Sequence, residues 1–171
     1  MDKSYQILKP FDLLSDTDCN EIISRAKAQG LNQSKMGMGI NTDIRNNTNT
    51  WLEFDQDPYY DIFKKLDYPI DWLYHPYQIS RYKQNQFYDW HTDSLNPKRK
   101  SQRVLTLTCC LQPALDAVLR IEHREFDLKQ GQAIIFPSEL AHRVDPPSQG
   151  ERWALTVWAM KKNQIKVDIK P

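Results

Sequence analysis

Two side chains able to ligate a metal stand two positions apart in the segment YKQNQFYDWHTD, residues 82–93. They are His91 and Asp93. Because residues i and i+2 of an extended chain face the same side, the imidazole and the carboxylate can point into one cavity. Two histidines and one carboxylate on one face of an iron leave positions open for substrate and oxygen. Such a pair is also common on surface turns, so the interpretation depends on a second histidine.

The second histidine has to come from a different strand. Among the four histidines of the chain, we expect His142 to be the partner, because ELAHRV follows the apolar segment AIIFP and begins a new strand. His75 and His123 are expected to be structural or surface residues.

An arginine opens the apolar segment RWALTVW after His142. Burying the guanidinium of Arg152 is costly unless an anion pairs with it. Its planar fork suits two parallel hydrogen bonds to a carboxylate, which an acid-bearing cosubstrate would supply. The alternative is that Arg152 reaches solvent or pairs with Glu151 or Asp145. The spacing alone leaves these two interpretations even.

Two tyrosines precede His91 on the same β-rich segment. Aromatic side chains on strands belong to the core more often than to a ligand site. Tyr82 and Tyr88 nevertheless each carry a hydroxyl that needs a hydrogen-bonding partner if it is buried. Both are therefore candidates for the site as well as for the core.

The first part of the chain, residues 1–74, is predicted to be helical and irregular. Its elements are expected to be a short strand at 5–14 broken by Pro10, a helix from Ser15 or Asp16 to about Ala28 closed by Gly30, short strands with exposed turns at 31–50, and a second helix at 58–66.

The second part, residues 75–162, is predicted to be a β-rich core. Strand-length runs rich in β-branched and aromatic residues lie at 77–82, 103–111, 117–123, 133–137 and 152–160. Turn signals containing Pro, Gly or Asn separate them. Short strands without long helices between them indicate a sandwich or barrel. The whole chain, 1–171, is therefore predicted to be one mainly β (α+β) domain.

The charge balance argues against two classes of partner. Lys and Arg total 23 and Asp and Glu total 22, so the formal net charge is +1. This near balance gives no bulk attraction to nucleic acid or to an acidic membrane surface, and neither is expected as a partner. A local basic cluster of Lys98, Arg99, Lys100 and Arg103 is interpreted as part of a solvated loop.

The cysteines and the N-terminus indicate the compartment. Cys109 and Cys110 are adjacent, so on a strand they point to opposite faces and are poorly placed to bond each other. With Cys19 they make an odd number, which implies no disulfide framework. The sequence shows no secretory signal and no apolar run of about 18 residues, so we expect a cytoplasmic protein.

Three segments carry motifs in a defined order. They are Tyr82-x-x-Asn85-x-x-Tyr88-x-x-His91-x-Asp93, the run Arg152-Trp153-Ala154-Leu155-Thr156-Val157-Trp158, and, upstream, residues 44–52 with Arg45. The first resembles the Tyr-x-x-Gly-x-x-Tyr-x-x-His-x-Asp signature of prolyl 4-hydroxylase-like, iron- and 2-oxoglutarate-dependent dioxygenases. The second resembles the Arg-x-Ala-x-Thr-x-Trp cosubstrate strand of that family, and the third its Arg-Thr-Ser-type segment.

The resemblance implies a double-stranded β-helix, or jelly roll, with supporting N-terminal helices. His91, Asp93 and His142 would hold Fe(II). Oxygen would convert 2-oxoglutarate to succinate and carbon dioxide while the substrate is hydroxylated, and L-ascorbic acid is a further candidate cofactor. The resemblance leaves oligomeric state open.

The resemblance also implies contacts for the cosubstrate and the substrate. Arg152 would pair with the far carboxylate of 2-oxoglutarate, helped by a hydroxyl from Tyr82 or Thr156. Trp158 lies an even number of residues from Arg152, so both could face the cavity, with Trp158 as a wall or, alternatively, as a core residue. The candidate substrate-binding residues are Arg45, Tyr88 and Trp158.

Two departures from the family pattern bear on the substrate. Asn85 stands where the family has Gly between the tyrosines, and residues 116–119 replace its Gly-Gly. Asn tolerates a left-handed backbone better than most residues. A prolyl residue of a peptide is the leading substrate, reached through a mobile lid at 32–50. The alternatives are a free amino acid or other small molecule, a non-catalytic metal-binding jelly roll, a cupin-type barrel, and a nucleic-acid demethylase.

Overall fold

The computed structural model describes residues 6–35, 39, 41–54, 59–66, 68–96 and 98–162. Its elements, in chain order, are β1 Phe11–Asp12, α1 Asp16–Gln29, β2 Asn32–Gln33, β3 Thr48–Leu52, α2 Tyr60–Lys64, β4 Trp72–Leu73, β5 Tyr77–Tyr82, β6 Tyr88–His91, β7 Ser101–Gln112, β8 Leu119–Ile121, β9 Arg124–Phe126, β10 Gln132–Pro137, β11 His142–Val144 and β12 Arg152–Lys162.

The strands form two antiparallel sheets. The major sheet has the order β1-β10-β7-β12-β5-β3-β2, and β4 pairs with β12 beside this path. The minor sheet has the order β6-β11-β8-β9. Most strands adjacent in a sheet are distant in the chain, whereas β8 and β9 form a hairpin. Both described helices lie in the first part. This arrangement confirms the predicted mainly β jelly-roll fold.

Helix α1 begins and ends at the predicted signals. The Ser15 side chain accepts a hydrogen bond from the Asp18 backbone, and the Asp18 carboxylate accepts one from the Ser15 backbone, which forms a capping box. Gly30, with a φ of 91°, ends the helix. Helix α2 is shorter than predicted, and Pro58 lies outside the described residues.

The major sheet is buried on both faces, and its central strands show why. Along β7, Leu105, Leu107 and Cys109 pack with the helices in one apolar core. The alternate residues Thr106 and Thr108 face the cavity between the sheets.

Cys110 also lies on the side of the minor sheet, in a second apolar cluster formed with its strands. Cys109 and Cys110 therefore point to opposite faces, as predicted, and both are free thiols. Because successive side chains of a strand point to opposite faces, one face of the major sheet packs against the helices and the other borders the space between the sheets.

Two predicted strands are wrong in extent. The run 117–123 is interrupted because Glu122 takes a φ of 51° and starts a turn, and a second strand, β9, follows. Backbone and side-chain hydrogen bonds between Glu122 and Ala141 stabilise this turn, so a tertiary contact overrides strand propensity. Of the predicted strand 5–14, residue 5 lies outside the described residues, and among 6–14 only Phe11–Asp12 is a strand, because Leu8 has a φ of 59°.

Strands of the first part of the chain extend the major sheet. β3 pairs with β5 over its whole length, and β2 pairs with β3 at the edge. Residues 36–38 and 40 of the proposed lid lie outside the described residues. In the described part of the chain, no helix is long and apolar enough to cross a membrane.

Candidate active site

A cavity of about 980 Å³ lies between the two sheets. Side chains of β5, β7 and β12 form one wall, and side chains of β6, β8 and β11 form the other. Several of the wall residues are buried and polar, among them Gln78, Ser80, Thr106 and Thr108. Buried polar side chains that face one space provide hydrogen-bonding groups for a ligand rather than an apolar core.

Three side chains that could ligate a metal meet in this cavity. His91 Nε2 lies 3.8 Å from Asp93 Oδ1, and His142 Nε2 lies 3.5 Å from Asp93 Oδ2. One ligand atom from each residue falls within 4.8 Å of the other two. His91 and His142 are paired across β6 and β11, which brings together residues 51 positions apart in the chain. The sheet register therefore assembles the predicted set.

The other ring nitrogen of each histidine is held by the backbone. Nδ1 of His91 lies 2.7 Å from the carbonyl oxygen of Asp89, and Nδ1 of His142 lies 3.0 Å from that of Leu140. A proton on Nδ1 leaves the Nε2 lone pair free for a metal. Burial, followed by the charge of His142, lowers the pKa of His91 to about 3. His91 is therefore neutral at pH 7, as a metal ligand must be.

Asp93 is oriented by neighbours on the major sheet. Its Oδ2 accepts hydrogen bonds of 2.9 Å from both Trp158 Nε1 and Thr106 Oγ1. Thr106 Oγ1 also lies 2.9 Å from the hydroxyl oxygen of Ser138. The backbone carbonyl of Ser138 in turn accepts a hydrogen bond from the backbone amide of Asp93.

These contacts also keep Asp93 charged. Burial alone would raise the pKa of the Asp93 carboxyl, but the hydrogen bond and charge of His142, the charge of His91 and the hydrogen bond from Trp158 lower it overall. The carboxylate is thus ionised and aimed at the two imidazoles.

Arg152 is buried without an anionic partner. It is 3% exposed, and no described residue forms a hydrogen bond or an ion pair with its guanidinium. The two acids considered as partners are engaged elsewhere: Asp145 pairs with Arg120 and Arg143, and Glu151 is near Lys83. The pairing alternative is therefore wrong, and Arg152 presents an unpaired cation to the cavity.

The alternation of β12 places the other predicted contacts. Arg152, Ala154, Thr156 and Trp158 all line the cavity, whereas Trp153 and its alternate neighbours pack toward the helices. The shared face predicted for Arg152 and Trp158 is thus confirmed. Trp158 does more than form a wall, because its indole donates to Asp93.

Tyr82 is paired with Arg152 across β5 and β12. The guanidinium carbon lies 5.7 Å from the centre of the Tyr82 ring. Burial raises the pKa of the Tyr82 phenol, which keeps this hydroxyl protonated and able to donate. Both Tyr82 and Thr156 border the cavity, so either hydroxyl remains a candidate partner for an anion on Arg152.

Arg45 and Tyr88 form a stack that ends on a candidate metal ligand. The rings of Tyr88 and His91 are 3.4 Å apart and inclined by 9°. The Arg45 guanidinium carbon lies 4.3 Å from the centre of the Tyr88 ring. Arg45 is itself held by Asn47 Oδ1 at 2.8 Å and Gln78 Oε1 at 3.0 Å. Both residues border the cavity, yet they are already engaged within the protein.

Arg103 does not belong to a solvated loop, so that interpretation is wrong for this residue. Lys98, Arg99 and Lys100 are exposed, but Arg103 lies on β7 with its guanidinium carbon 3.9 Å from the Trp158 ring centre. Thr106 and Ser138 were also missed. For Thr106, the sequence signal was the alternation of polar and apolar residues along β7. The same alternation is typical of a strand with one face in solvent, so it did not indicate a site.

Both departures from the family pattern lie at residues with a left-handed backbone. Asn85 has a φ of 64°, and Asp116 has a φ of 65°. Both residue types tolerate this backbone region, which otherwise favours Gly. Asn85 and Asp116 are therefore residue types suited to the backbone that these two positions adopt.

The donor set fits Fe(II), and the cavity fits a dicarboxylate. Two imidazole nitrogens and one carboxylate on one side of an ion are the ligands of non-haem Fe(II) oxygenases. The unpaired, buried guanidinium of Arg152 in the same cavity supplies a site for a second carboxylate.

Comparison with known proteins agrees with this geometry. Residues 77–160 match the family model of the 2OG-Fe(II) oxygenase superfamily. A protein of Acanthamoeba polyphaga mimivirus, provisionally named a prolyl 4-hydroxylase, is 27% identical over 88% of this chain and 73% of its own length.

Solved structures share the fold. The viral collagen prolyl hydroxylase of Paramecium bursaria Chlorella virus-1, solved in complex with 2OG, superposes with a TM-score of 0.69 at 22% identity, covering 89% of this chain and 94% of its own. A Trichoplax adhaerens prolyl hydroxylase, solved with a hypoxia inducible factor peptide, has a TM-score of 0.67 at 16% identity, with coverage of 88% and 82%. With its triad, its jelly roll and the family match at residues 77–160, the chain belongs to the 2OG-Fe(II) oxygenase superfamily, whose members are dioxygenases that use Fe(II), 2-oxoglutarate and O2.

Proposed function

We propose that this protein hydroxylates a prolyl residue of a peptide or protein and converts 2-oxoglutarate to succinate and carbon dioxide. His91, Asp93 and His142 hold Fe(II), and Arg152 binds the far carboxylate of 2-oxoglutarate. One observation carries the proposal: the triad and an unpaired, buried arginine share one cavity. The peptide-bound relative from Trichoplax adhaerens supports a peptide as the substrate.

The residues of the chain contribute position and exclusion of water. Bound iron supplies the oxygen chemistry. Trp158 and Thr106 orient the carboxylate of Asp93 through two hydrogen bonds of 2.9 Å. Trp51 and Tyr74 pack around Trp158, with ring centres 5.8 and 6.2 Å away, and form an aromatic wall beside the triad. Such a wall would shield one side of the triad from water and gives flat, apolar contacts that suit a pyrrolidine ring.

Mass spectrometry with Fe(II), 2-oxoglutarate and ascorbate tests this function. Proline-containing peptides and free amino acids are incubated separately, and a gain of 16 Da is sought with stoichiometric succinate. We expect the gain on peptides. A gain only on free amino acids would replace the peptide with the small-molecule alternative, and no succinate in any arm would favour the non-catalytic binding module.

Variants of the metal ligands control for contaminating activity. His91→Ala and Asp93→Ala should abolish succinate formation while far-UV circular dichroism stays unchanged. Undiminished succinate formation in either folded variant would contradict the ligand assignment.

A further inference from the structure

A second arginine of the cavity also lacks an acceptor. Nε of Arg103 is buried and has no hydrogen-bond partner, and no described residue forms an ion pair with its guanidinium. Burial lowers the pKa of Arg103, although the guanidinium stays charged at pH 7. Arg103 as a whole is half-buried. A partly desolvated cation without a counter-charge is unfavourable, so an anionic group from outside the protein would relieve it.

Aromatic rings set the direction of the Arg103 donors. The guanidinium carbon lies 3.9 Å from the ring centre of Trp158 and 5.5 Å from that of Tyr74. A guanidinium stacked on an indole keeps its N–H groups in its own plane, at the edges of the stack. Its donors are therefore free to bind a ligand beside Trp158, in the same cavity as the triad.

No carboxylate of the cavity can serve as the partner of Arg103. Asp93 is the sole acidic residue among the described residues that line it, against five cationic ones: Lys35, Arg45, Arg99, Arg103 and Arg152. Oδ2 of Asp93 already accepts from Trp158 and Thr106, and Oδ1 faces His91.

The cosubstrate cannot supply the acceptor either. If the proposed function holds, 2-oxoglutarate places one carboxylate at the metal and the other on Arg152. Both of its anionic groups are then used, and the remaining partner for Arg103 is the substrate.

We propose that Arg103 binds a carboxylate of the substrate, so that the preferred peptide carries Asp or Glu within two residues of the hydroxylated proline. This inference rests on the proposed function. The Trp158 indole under Arg103 also donates to Asp93, so the cation lies one indole away from the metal ligand. Neighbouring side chains of an extended peptide span such a separation.

Arg81 offers a matched control. Its guanidinium carbon lies 5.7 Å from the Trp153 ring centre, and its Nε is likewise buried without a partner. Trp153 belongs to the core on the side of the helices, and Arg81 does not line the cavity. Arg81→Gln therefore removes a stacked arginine without touching the proposed carboxylate site.

Paired peptides test the assignment. N-acetylated, C-amidated pentapeptides with a central proline carry Glu or Gln at one of the four flanking positions. Their kcat/KM is measured, as is their affinity for the protein loaded with Mn(II) and 2-oxoglutarate, by calorimetry. We expect one Glu peptide to be preferred by about tenfold, as a charge-assisted hydrogen bond provides. Arg103→Gln should abolish this preference, and Arg81→Gln should keep it.

Each outcome separates the two proposals. Equal treatment of Glu and Gln by the wild type, or a preference that survives Arg103→Gln, overturns the role of Arg103. Arg103-dependent binding of the Glu peptide with no gain of 16 Da overturns prolyl hydroxylation and supports the carboxylate site. If Arg103→Gln fails to fold, the test uses the wild-type protein with a peptide that carries Lys at the preferred flanking position. This Lys peptide should bind more weakly than the Gln peptide, and equal binding overturns the assignment.

Discussion

The imidazole of His91 is oriented by stacking as well as by a hydrogen bond. Tyr88 lies parallel to it at 3.4 Å, which leaves no room for another group on the same face of the phenol ring. Arg45, at 4.3 Å from the Tyr88 ring, therefore occupies the other face. A guanidinium, a phenol and an imidazole in one column restrict rotation of the ligand ring, and partners of this kind adjust metal affinity.

Substitutions of Tyr88 distinguish the ring from its hydroxyl. Tyr88→Phe keeps the aromatic face and should leave the affinity for Mn(II), measured by calorimetry, within about twofold of the wild type. Tyr88→Leu removes the stack and should weaken affinity by about tenfold, the low end for groups that support a ligand. Equal loss in both variants would show that the hydroxyl, and not the stack, is what matters.

Arg152 should be needed for the affinity of the cosubstrate. Arg152→Ala removes a buried cavity cation that no described residue pairs with, and should raise the KM for 2-oxoglutarate at least tenfold. Arg152→Lys keeps the charge but loses the fork, and should raise it less. Succinate formation at several 2-oxoglutarate concentrations provides the measurement, and an unchanged KM in Arg152→Ala would leave the arginine a structural role.

Residue type and spacing predicted three candidate ligands that the fold brings together, but not all of the groups that support them. His91, Asp93 and His142 could be predicted from the sequence because residues able to ligate a metal are few and their order along the chain is distinctive. Thr106 and Arg103 could not, because a polar residue on an alternating strand usually faces solvent. Only the second sheet shows that this face is enclosed.

At the scale of elements, the chain before α1 packs closely against the turn before β10. The amides of Leu13 and Leu14 both donate to the carbonyl oxygen of Gly131. Gly131 has a φ of 77°, and a Cβ there would overlap the carbonyl oxygen of Leu14. The absence of a side chain thus lets the N-terminal segment dock against the major sheet.

Two glycines with similar backbone angles separate crowding from backbone strain. Gly150 has a φ of 82°, but a Cβ there would lie 3.8 Å from Ala114, an ordinary contact. Gly150→Ala should cost about 1 kcal/mol in the free energy of unfolding, whereas Gly131→Ala should cost about 3 kcal/mol or more. Urea unfolding followed by circular dichroism compares them. Equal losses would mean that the Leu14 segment moves aside without cost.

Elements were predictable where local signals and tertiary contacts agree. Helix α1 carries its own cap and an apolar stripe, so its bounds followed from the sequence. The β8–β9 turn was missed because Glu122 takes a left-handed conformation that its residue type does not suggest. Strands of two residues, such as β1 and β2, exist only through pairing with distant strands.

For the whole molecule, the site connects the two sheets. His91 and His142 belong to the minor sheet, whereas Asp93 is hydrogen-bonded to Thr106 and Trp158 of the major sheet. Arg152 also belongs to the major sheet. A metal ion with a dicarboxylate would therefore bridge both layers, and its binding energy would add to the free energy of unfolding.

Binding should stabilise the fold in two sequential steps, with the metal first and 2-oxoglutarate second. Mn(II) at 100 times its Kd should add about 2.7 kcal/mol to the free energy of unfolding, and 2-oxoglutarate should raise Tm further only when the metal is present. Differential scanning calorimetry measures both. His142→Ala should show neither shift at the same concentrations, and a full shift in that variant would place the metal elsewhere.

Among the described residues, five cationic side chains and one acidic side chain line the cavity of a protein whose net charge is +1. Its positive potential is therefore local, and low-dielectric walls concentrate such a field at the opening. A dianion such as 2-oxoglutarate would be drawn toward the cavity before any contact forms. Its association rate constant should fall steeply with ionic strength while its dissociation changes little, so capture of the cosubstrate depends on the salt concentration around the protein.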